Sequence, residues 1–385
     1  MSTPRTIKIV RHRLRNAAVQ VYLFILKIPR RIWNLRKPFV RWRYRTHKVQ
    51  EQLRAYREEW RVEREIERVI SGSDPVLVGP WLSEVGYEAL YWLAFVRWVK
   101  AAFRIKPERL FAMSRGGVGS WYGDITPNYF EIFDEVDPAE FSARNTDRSD
   151  AEKTTKQWGM GEFDRMLVER ARDRIGAARL RVLHPSLMYR LLKQFWSGHR
   201  PQGYMDSHTR YVRLKPPGFD LTSLSLPKEY VAVKFYAARS LPDTPGNREL
   251  LHALVESIAE RWPVVVLDTG LALDDHADYG FSHGGRIITA RPYLDARVNL
   301  GLQTQIIAGA RAFVGTCGSL AWLAPMLGID TTAVFTDARF LHAHLQAGRR
   351  VYHLLGGGRF SPLDLGALDP LGLTLVSRQV AQPLS

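Results

Sequence analysis

Apolar residues recur along this chain in two rhythms. Short apolar runs at Val76-Leu77-Val78, Leu110 to Met113, Arg181-Val182-Leu183, Tyr230 to Tyr236, Val264 to Leu267 and Ala312-Phe313-Val314 read as buried strands. Between them the period lengthens. Trp81 to Phe103 reads as a turn and an aromatic-rich helix, and Asp164 to Ala178, Gly246 to Arg261, Leu302 to Ala310 and Leu320 to Leu327 read as helices. Strands alternating with helices predict parallel sheets. Pro201 to Pro227 is rich in Pro, Gly, Ser and Thr, holds no sustained period, and separates two halves of similar plan. The expected class is α/β, with two doubly wound halves whose strand ends face each other across a cleft, where such sheets bind ligands.

Upstream the pattern changes. Residues from His47 to Ile70 are helix formers with Glu and Arg at i,i+3 and i,i+4 spacing, so a helix is expected, with Leu53, Tyr56 and Trp60 as a packed face. Ser71 to Pro75 closes it. The expected organisation is an arm and helix over 1–70, a first α/β domain over 71–215 and a second over 216–385.

Charge sharpens the picture of the arm. The chain carries a net +16, but its first 50 residues hold 14 Lys or Arg and no Asp or Glu, leaving only +2 for the remainder. Ala17 to Leu26 is apolar and too short to span a bilayer, which takes about 20 residues. Bulky and basic residues follow it rather than a small-residue cleavage site, so a signal peptide is not expected. Basic residues mixed with Trp, Phe and Leu over residues 5–48 suit an anionic membrane surface. Nucleic-acid binding and a partner-binding arm compete, and the aliphatic block favours the membrane. The helix after the arm would also allow a short coiled-coil contact in a homodimer.

The single cysteine, Cys317, excludes an intrachain disulfide and a thiolate zinc site, and points to a reducing compartment. It lies in the most informative stretch, Gln305 to Phe335, which reads as helix, strand, glycine-containing turn, helix and strand. Gly315, Thr316, Cys317, Gly318 and Ser319 form the turn. Small residues at a helix start let backbone N–H groups approach an anion such as a diphosphate. An ordinary strand-to-helix turn would look the same.

GTCGSLAWLAPMLG within Leu302 to Phe335, together with VAVKFYAARSLPDTPGNRE, VVVLDTGLALDDH and GPWLSEVGYEALYWLAFVRW, resembles glycosyltransferases of the two-Rossmann-domain, or GT-B, architecture. The pattern is similar to bacterial heptosyltransferase-like and related surface-polysaccharide enzymes, and covers about Val76 to Leu373. It departs from them where Cys317, Gly318 and Ser319 replace an acidic residue, a Thr or Ser and a Gly, and where Trp322 stands at a histidine position.

The resemblance implies a nucleotide-sugar donor, a glycan or lipid-linked acceptor, an inverting reaction and no metal or other cofactor. Thr316, Gly318 and Ser319 would seat the diphosphate. Lys234 and Arg239 would reach the same anion. Asp268 and His276 would lie near the base or ribose, and Gln305 would contact the donor or cap a loop. Glu84 and Glu88 are the candidate bases: the turn position favours Glu84, the family pattern Glu88, and Glu84 would alternatively cap its helix. Arg115, Trp121, Tyr122 and His184 would contact the acceptor or serve packing. The implied location is the cytoplasmic face of a membrane. A nucleotide-sugar epimerase or hydrolase on the same fold, and a non-catalytic nucleic-acid-binding or scaffold protein, remain the rival readings.

Overall fold

Val76–Val78 (β1), Leu110–Ser114 (β2), Asn128–Glu131 (β3) and Arg181–Leu183 (β4) build a four-stranded parallel sheet in the order β3-β2-β1-β4. The computed structural model describes residues 42–43, 46–47, 49–271, 273 and 277–367. Val231–Lys234 (β5), Val264–Val266 (β6), Ile287–Thr289 (β7), Ala312–Thr316 (β8), Asp330–Phe335 (β9) and Phe360–Asp364 (β10) build a second parallel sheet, ordered β10-β9-β8-β5-β6-β7. Counted from its own first strand, the second sheet has the doubly wound order 3-2-1-4-5-6. The first sheet has the 3-2-1-4 part of the same order. The architecture is therefore two Rossmann-like lobes, the GT-B arrangement.

In the first lobe, a helix begins at Val85–Tyr87 (α1), passes through a π turn at Glu88–Trp92 and continues as Leu93–Ala102 (α2). Pro138–Glu152 (α3), Glu162–Ile175 (α4), Pro185–Trp196 (α5) and Gln202–Ser207 (α6) follow. The second lobe carries Pro245–Arg261 (α7), Asn299–Ala308 (α8), Ser319–Leu323 (α9) and His342–Leu355 (α10). Three helix starts share one local code. Asp137, His184 and Thr244 each precede a proline and accept a backbone N–H from the first turn. Such a residue satisfies an orphan donor, while the proline, lacking an N–H, leaves none.

The chain divides into a unit of Met1–Glu58 and one of Glu59–Ser385, and both sheets belong to the second. In the first unit, residues 49–58 are helical, with Leu53 and Tyr56 exposed at 51% and 56%. In the second, residues 59–70 are helical, and Trp60 is also exposed, at 55%. The expected Leu53–Tyr56–Trp60 face is thus not a packed one. Val62, Ile66 and Ile70, spaced by four, make the buried face and join the main core. That core runs through both lobes, from Trp81 and Trp92 to Ile307, Trp322 and Leu323.

Most of the arm, residues 1–41, 44–45 and 48, lies outside the described residues, as do Asp274, Asp275 and His276. No helix among the described residues is long and apolar enough to cross a membrane.

Candidate active site

The two lobes face each other across a cleft of about 1090 Å³. In the second lobe the cleft is lined by Tyr236 to Ser240 after β5 and by Cys317 to Ser319 after β8. Those strands are hydrogen-bonded neighbours at the centre of the sheet, where the strand order reverses. This crevice at the switch point is where open α/β sheets bind ligands. From the first lobe come Leu82 to Tyr87 after β1, the α3 residues Ser142, Asn145, Ser149 and Asp150, and Thr155 and Lys156 just beyond α3.

Backbone packing brings the two lobes together at Gly86 and Ser319, both of which line the cleft. A Cβ on Gly86 would lie 2.9 Å from the Ser319 amide nitrogen, so only glycine lets α1 and α9 approach this closely. A Cβ on Gly318 would lie 2.3 Å from the Tyr236 hydroxyl. Ser319 itself has φ of +36°, an unusual conformation for a residue other than glycine, at the first position of α9.

Of the two candidate bases, Glu84 lines the cleft and Glu88 does not. Glu84 occupies the N-cap position of α1, yet its side chain makes no capping bond. It accepts a hydrogen bond from the Thr155 hydroxyl at 2.6 Å instead. Glu88 is 0% exposed. Its Oε1 accepts from the Ser114 and Tyr122 hydroxyls, both at 2.6 Å, and its Oε2 has no partner. Burial pushes the Glu88 carboxyl up to about 7, against the lowering effect of those two bonds. It is a buried acid beneath the cleft, out of reach of a ligand in it.

Cations line the same cleft as Glu84. The Lys156 ammonium sits 4.8 Å from the Tyr87 ring centroid, and among the described residues it has no ion-pair partner. Burial lowers its pKa, Glu84 raises it and Arg239 lowers it, so Lys156 feels the charges of both. Arg239 lines the cleft from the second lobe, over the Phe340 ring at 5.7 Å, likewise with no ion pair among the described residues. Arg339 also lines the cleft but is tied to Asp337 at 2.6 Å. Lys156 is half-buried beside a single carboxylate, and Arg239 is exposed at the cleft wall, so both charges remain open to a further anion.

The far wall is aromatic. The π turn brings Tyr87 and Tyr91 onto one side, packed with Trp196. From α10, His344 reaches across and hydrogen-bonds both hydroxyls, Tyr91 through Nδ1 at 2.7 Å and Tyr87 through Nε2 at 3.2 Å. Burial, with help from Lys156, lowers the His344 pKa to about 4, so the ring is neutral and donates to one tyrosine while accepting from the other.

Several expected residues are committed elsewhere. Thr316 is buried, and its hydroxyl donates to the Tyr236 carbonyl and accepts from the Tyr236 amide, both at 2.9 Å, stapling β8 to the end of β5. Lys234 donates to the Leu267 carbonyl and pairs with Asp278 at 3.0 Å, outside the main cleft. Asp268 accepts from Thr289 at 2.8 Å and faces Arg291 at 3.9 Å. Gln305 caps the interdomain segment by accepting from the Gly218 amide at 2.8 Å.

The expected acceptor contacts are buried supports. Arg115 donates to the Trp81 and Ser83 carbonyls and shapes the loop that carries Glu84. The Trp121 indole donates to Thr304 on α8, binding one lobe to the other. Tyr122 is spent on Glu88. His184 caps α5 and bonds Asp164 at 2.9 Å. Burial pushes Asp164 up, but the bonds from His184, Gly161 and Gln157 outweigh it and leave the pKa lowered. Cys317 is buried, which pushes its thiol up to about 12 and keeps it from acting as a thiolate.

Sequence reading did not single out Lys156, Thr155, Tyr87, Tyr91, Trp196 or His344. The i,i+4 tyrosines of GYEALY were the only usable signal among them. Lys156 and Thr155 sit in a loop after a helix of low hydrophobicity, where nothing local marks a site. Among the described residues no group of three His, Cys, Asp or Glu side chains is placed to hold a metal ion.

No protein-family model matches the chain. No curated protein matches it either. Solved structures with a similar course are the UDP-GlcNAc 2-epimerase from Methanocaldococcus jannaschii (10% identity, 79% of this chain and 93% of that one, TM-score 0.27), a putative UDP-N-acetylglucosamine 2-epimerase from Listeria monocytogenes (11%, 68% and 79%, 0.30), and the S. aureus MnaA–UDP co-structure (10%, 75% and 93%, 0.30). At these scores the resemblances carry no argument about this chain. Its lobe architecture rests on its own strand order.

Proposed function

We propose that this protein is a glycosyltransferase that moves a sugar from a nucleotide-sugar donor to a hydroxyl of a glycan or lipid-linked acceptor. The observation that carries the reading is the convergence of Glu84 with the unpaired cations Lys156 and Arg239 in one cleft at the switch point of the second sheet. A sugar diphosphate supplies two negative charges for cations that no ion pair among the described residues occupies. An acceptor hydroxyl supplies the proton that Glu84 can take.

In the proposed step the acceptor oxygen attacks the donor's C1 from the face opposite the diphosphate. The new C–O bond forms as the C1–O bond to phosphate breaks. The electron pair leaves with the diphosphate, and Lys156 and Arg239 stabilise that charge. Glu84 takes the hydroxyl proton and later releases it to water. Thr155 holds the carboxylate in place. The α3 side chains Ser142, Asn145 and Ser149 offer short donors and acceptors suited to a polyol. In this reading the basic arm keeps the enzyme on an anionic, cytoplasm-facing leaflet where a lipid-linked acceptor is found, and the chemistry needs no metal.

The test is to incubate the protein with a panel of nucleotide sugars, with and without saccharide and lipid-linked acceptors, and to follow release of the nucleoside diphosphate and the fate of the sugar. Acceptor-dependent release with a new glycosidic product is the expected result. Rearrangement or hydrolysis of the donor without acceptor would replace this reading with the epimerase or hydrolase one. Salt-sensitive nucleic-acid binding with no effect on any nucleotide sugar would replace it with the non-catalytic one.

A further inference from the structure

Behind Ser319 the cleft abuts a second, smaller recess of about 50 Å³, and Val85, Tyr236, Leu273 and Ser319 line both. Apart from Val85, the recess is built by the second lobe, at the ends of β5, β6 and β8. Among the described residues its charges are matched. Lys234 and Asp278 pair at 3.0 Å, and Asp278 also accepts from the Thr269 amide at 2.8 Å. One buried side-chain atom among the described lining residues is not matched. Gln303 on α8 lines the recess, is 1% exposed, and uses its Nε2 on the Asn299 carbonyl and side chain, while its Oε1 has no hydrogen-bond partner. Turning the amide over would set its oxygen 3.3 Å from the Asn299 main-chain carbonyl, an acceptor that cannot turn with it, which favours the orientation with Nε2 toward Asn299. A buried carbonyl oxygen without a donor is costly, and few are tolerated in a folded protein.

We infer that this recess receives a neutral hydrogen-bond donor carried by the nucleoside of the bound nucleotide, a ribose hydroxyl or a base N–H, and that Gln303 Oε1 accepts from it. With Lys234 and Asp278 paired, no described residue of the recess holds an unmatched charge that would call for a charged group. The volume admits about three water-sized groups, enough for one edge of a ring but not a whole sugar. The transferred sugar must stay beside Glu84 in the open cleft, which leaves the nucleoside for the second-lobe side. Gln303 then sets which nucleotide binds, because an analogue lacking the donor would leave the amide oxygen unpaired. The inference rests on the nucleotide-sugar reading above.

The experiment compares wild type with Gln303→Leu and Gln303→Met by isothermal titration. The titrants are inorganic pyrophosphate, the common nucleoside diphosphates and their 2′-deoxy forms. Wild type should bind one nucleoside diphosphate more tightly than pyrophosphate. The variants should lose about tenfold or more of that nucleoside-dependent gain and keep the pyrophosphate affinity unchanged. If a folded variant binds the preferred nucleotide as wild type does, the inference falls while the diphosphate reading stands. If wild type binds neither pyrophosphate nor any nucleotide, the underlying reading falls with it. A crystal structure of the wild-type complex gives a readout independent of the variants: nucleoside in the recess supports the inference, and ordered water alone there overturns it.

Discussion

The Thr155 hydroxyl donates to the Glu84 carboxylate at 2.6 Å, a bond between residues 71 positions apart. It draws the carboxylate away from the amides of the helix that Glu84 precedes and holds it on the cleft wall. A residue placed to cap a helix thus has its carboxylate on the cleft wall instead.

Replacing Glu84 with Gln should lower turnover by about 10²–10⁴-fold, the usual contribution of a positioned general base. Because Glu84 makes no capping bond, thermal stability should stay close to that of wild type. Thr155→Val should reduce turnover less and leave donor binding intact. Steady-state kinetics and thermal denaturation check both. Full turnover by Glu84→Gln would remove it as the base.

Glu88→Gln should behave in the opposite way, retaining turnover and changing the pH dependence of stability. The Glu88 carboxyl is raised from 4.5 to about 7 by burial. Its contribution is therefore fully present below pH 4.5 and lost as pH rises through 7. The stability of the Gln variant relative to wild type should climb across that window by on the order of 3 kcal/mol and then level off. Denaturant titrations of both proteins between pH 4 and 8 would show it, and a constant difference would contradict it.

The central strands β1, β2, β5, β6, β8 and β9 were legible in the sequence because burial on both faces demands apolar runs. The missed strands β3, β7 and β10 are all sheet edges. Their residues are mostly half-buried, and β10 even contains Pro362, which an edge position tolerates. The candidate site divides along similar lines. Glu84, Arg239, Gly318 and Ser319 follow strand ends and could be located by topology. Lys156, Thr155 and His344 reach the cleft from a post-helix loop and a distant helix, and only tertiary packing brings them in. Thr316, Trp121 and Tyr122 sit at the right strand ends with their polar atoms already used, a distinction that no spacing rule makes.

Residues 5–48 concentrate the positive charge of the chain. Deleting residues 1–45 should weaken binding to vesicles containing anionic lipid, with a strong salt dependence, while turnover of a soluble acceptor changes much less. Vesicle sedimentation at two salt concentrations checks this. Unchanged binding by the truncated protein would remove the membrane role.

The most direct test titrates the preferred nucleoside diphosphate into wild type and the Lys156→Met/Arg239→Met double variant by calorimetry. The account predicts a loss of at least about tenfold in affinity, with the fold intact, because neither side chain gives up an ion pair within the described structure. Equal affinity in the two proteins would show that the diphosphate is held elsewhere and would contradict the account.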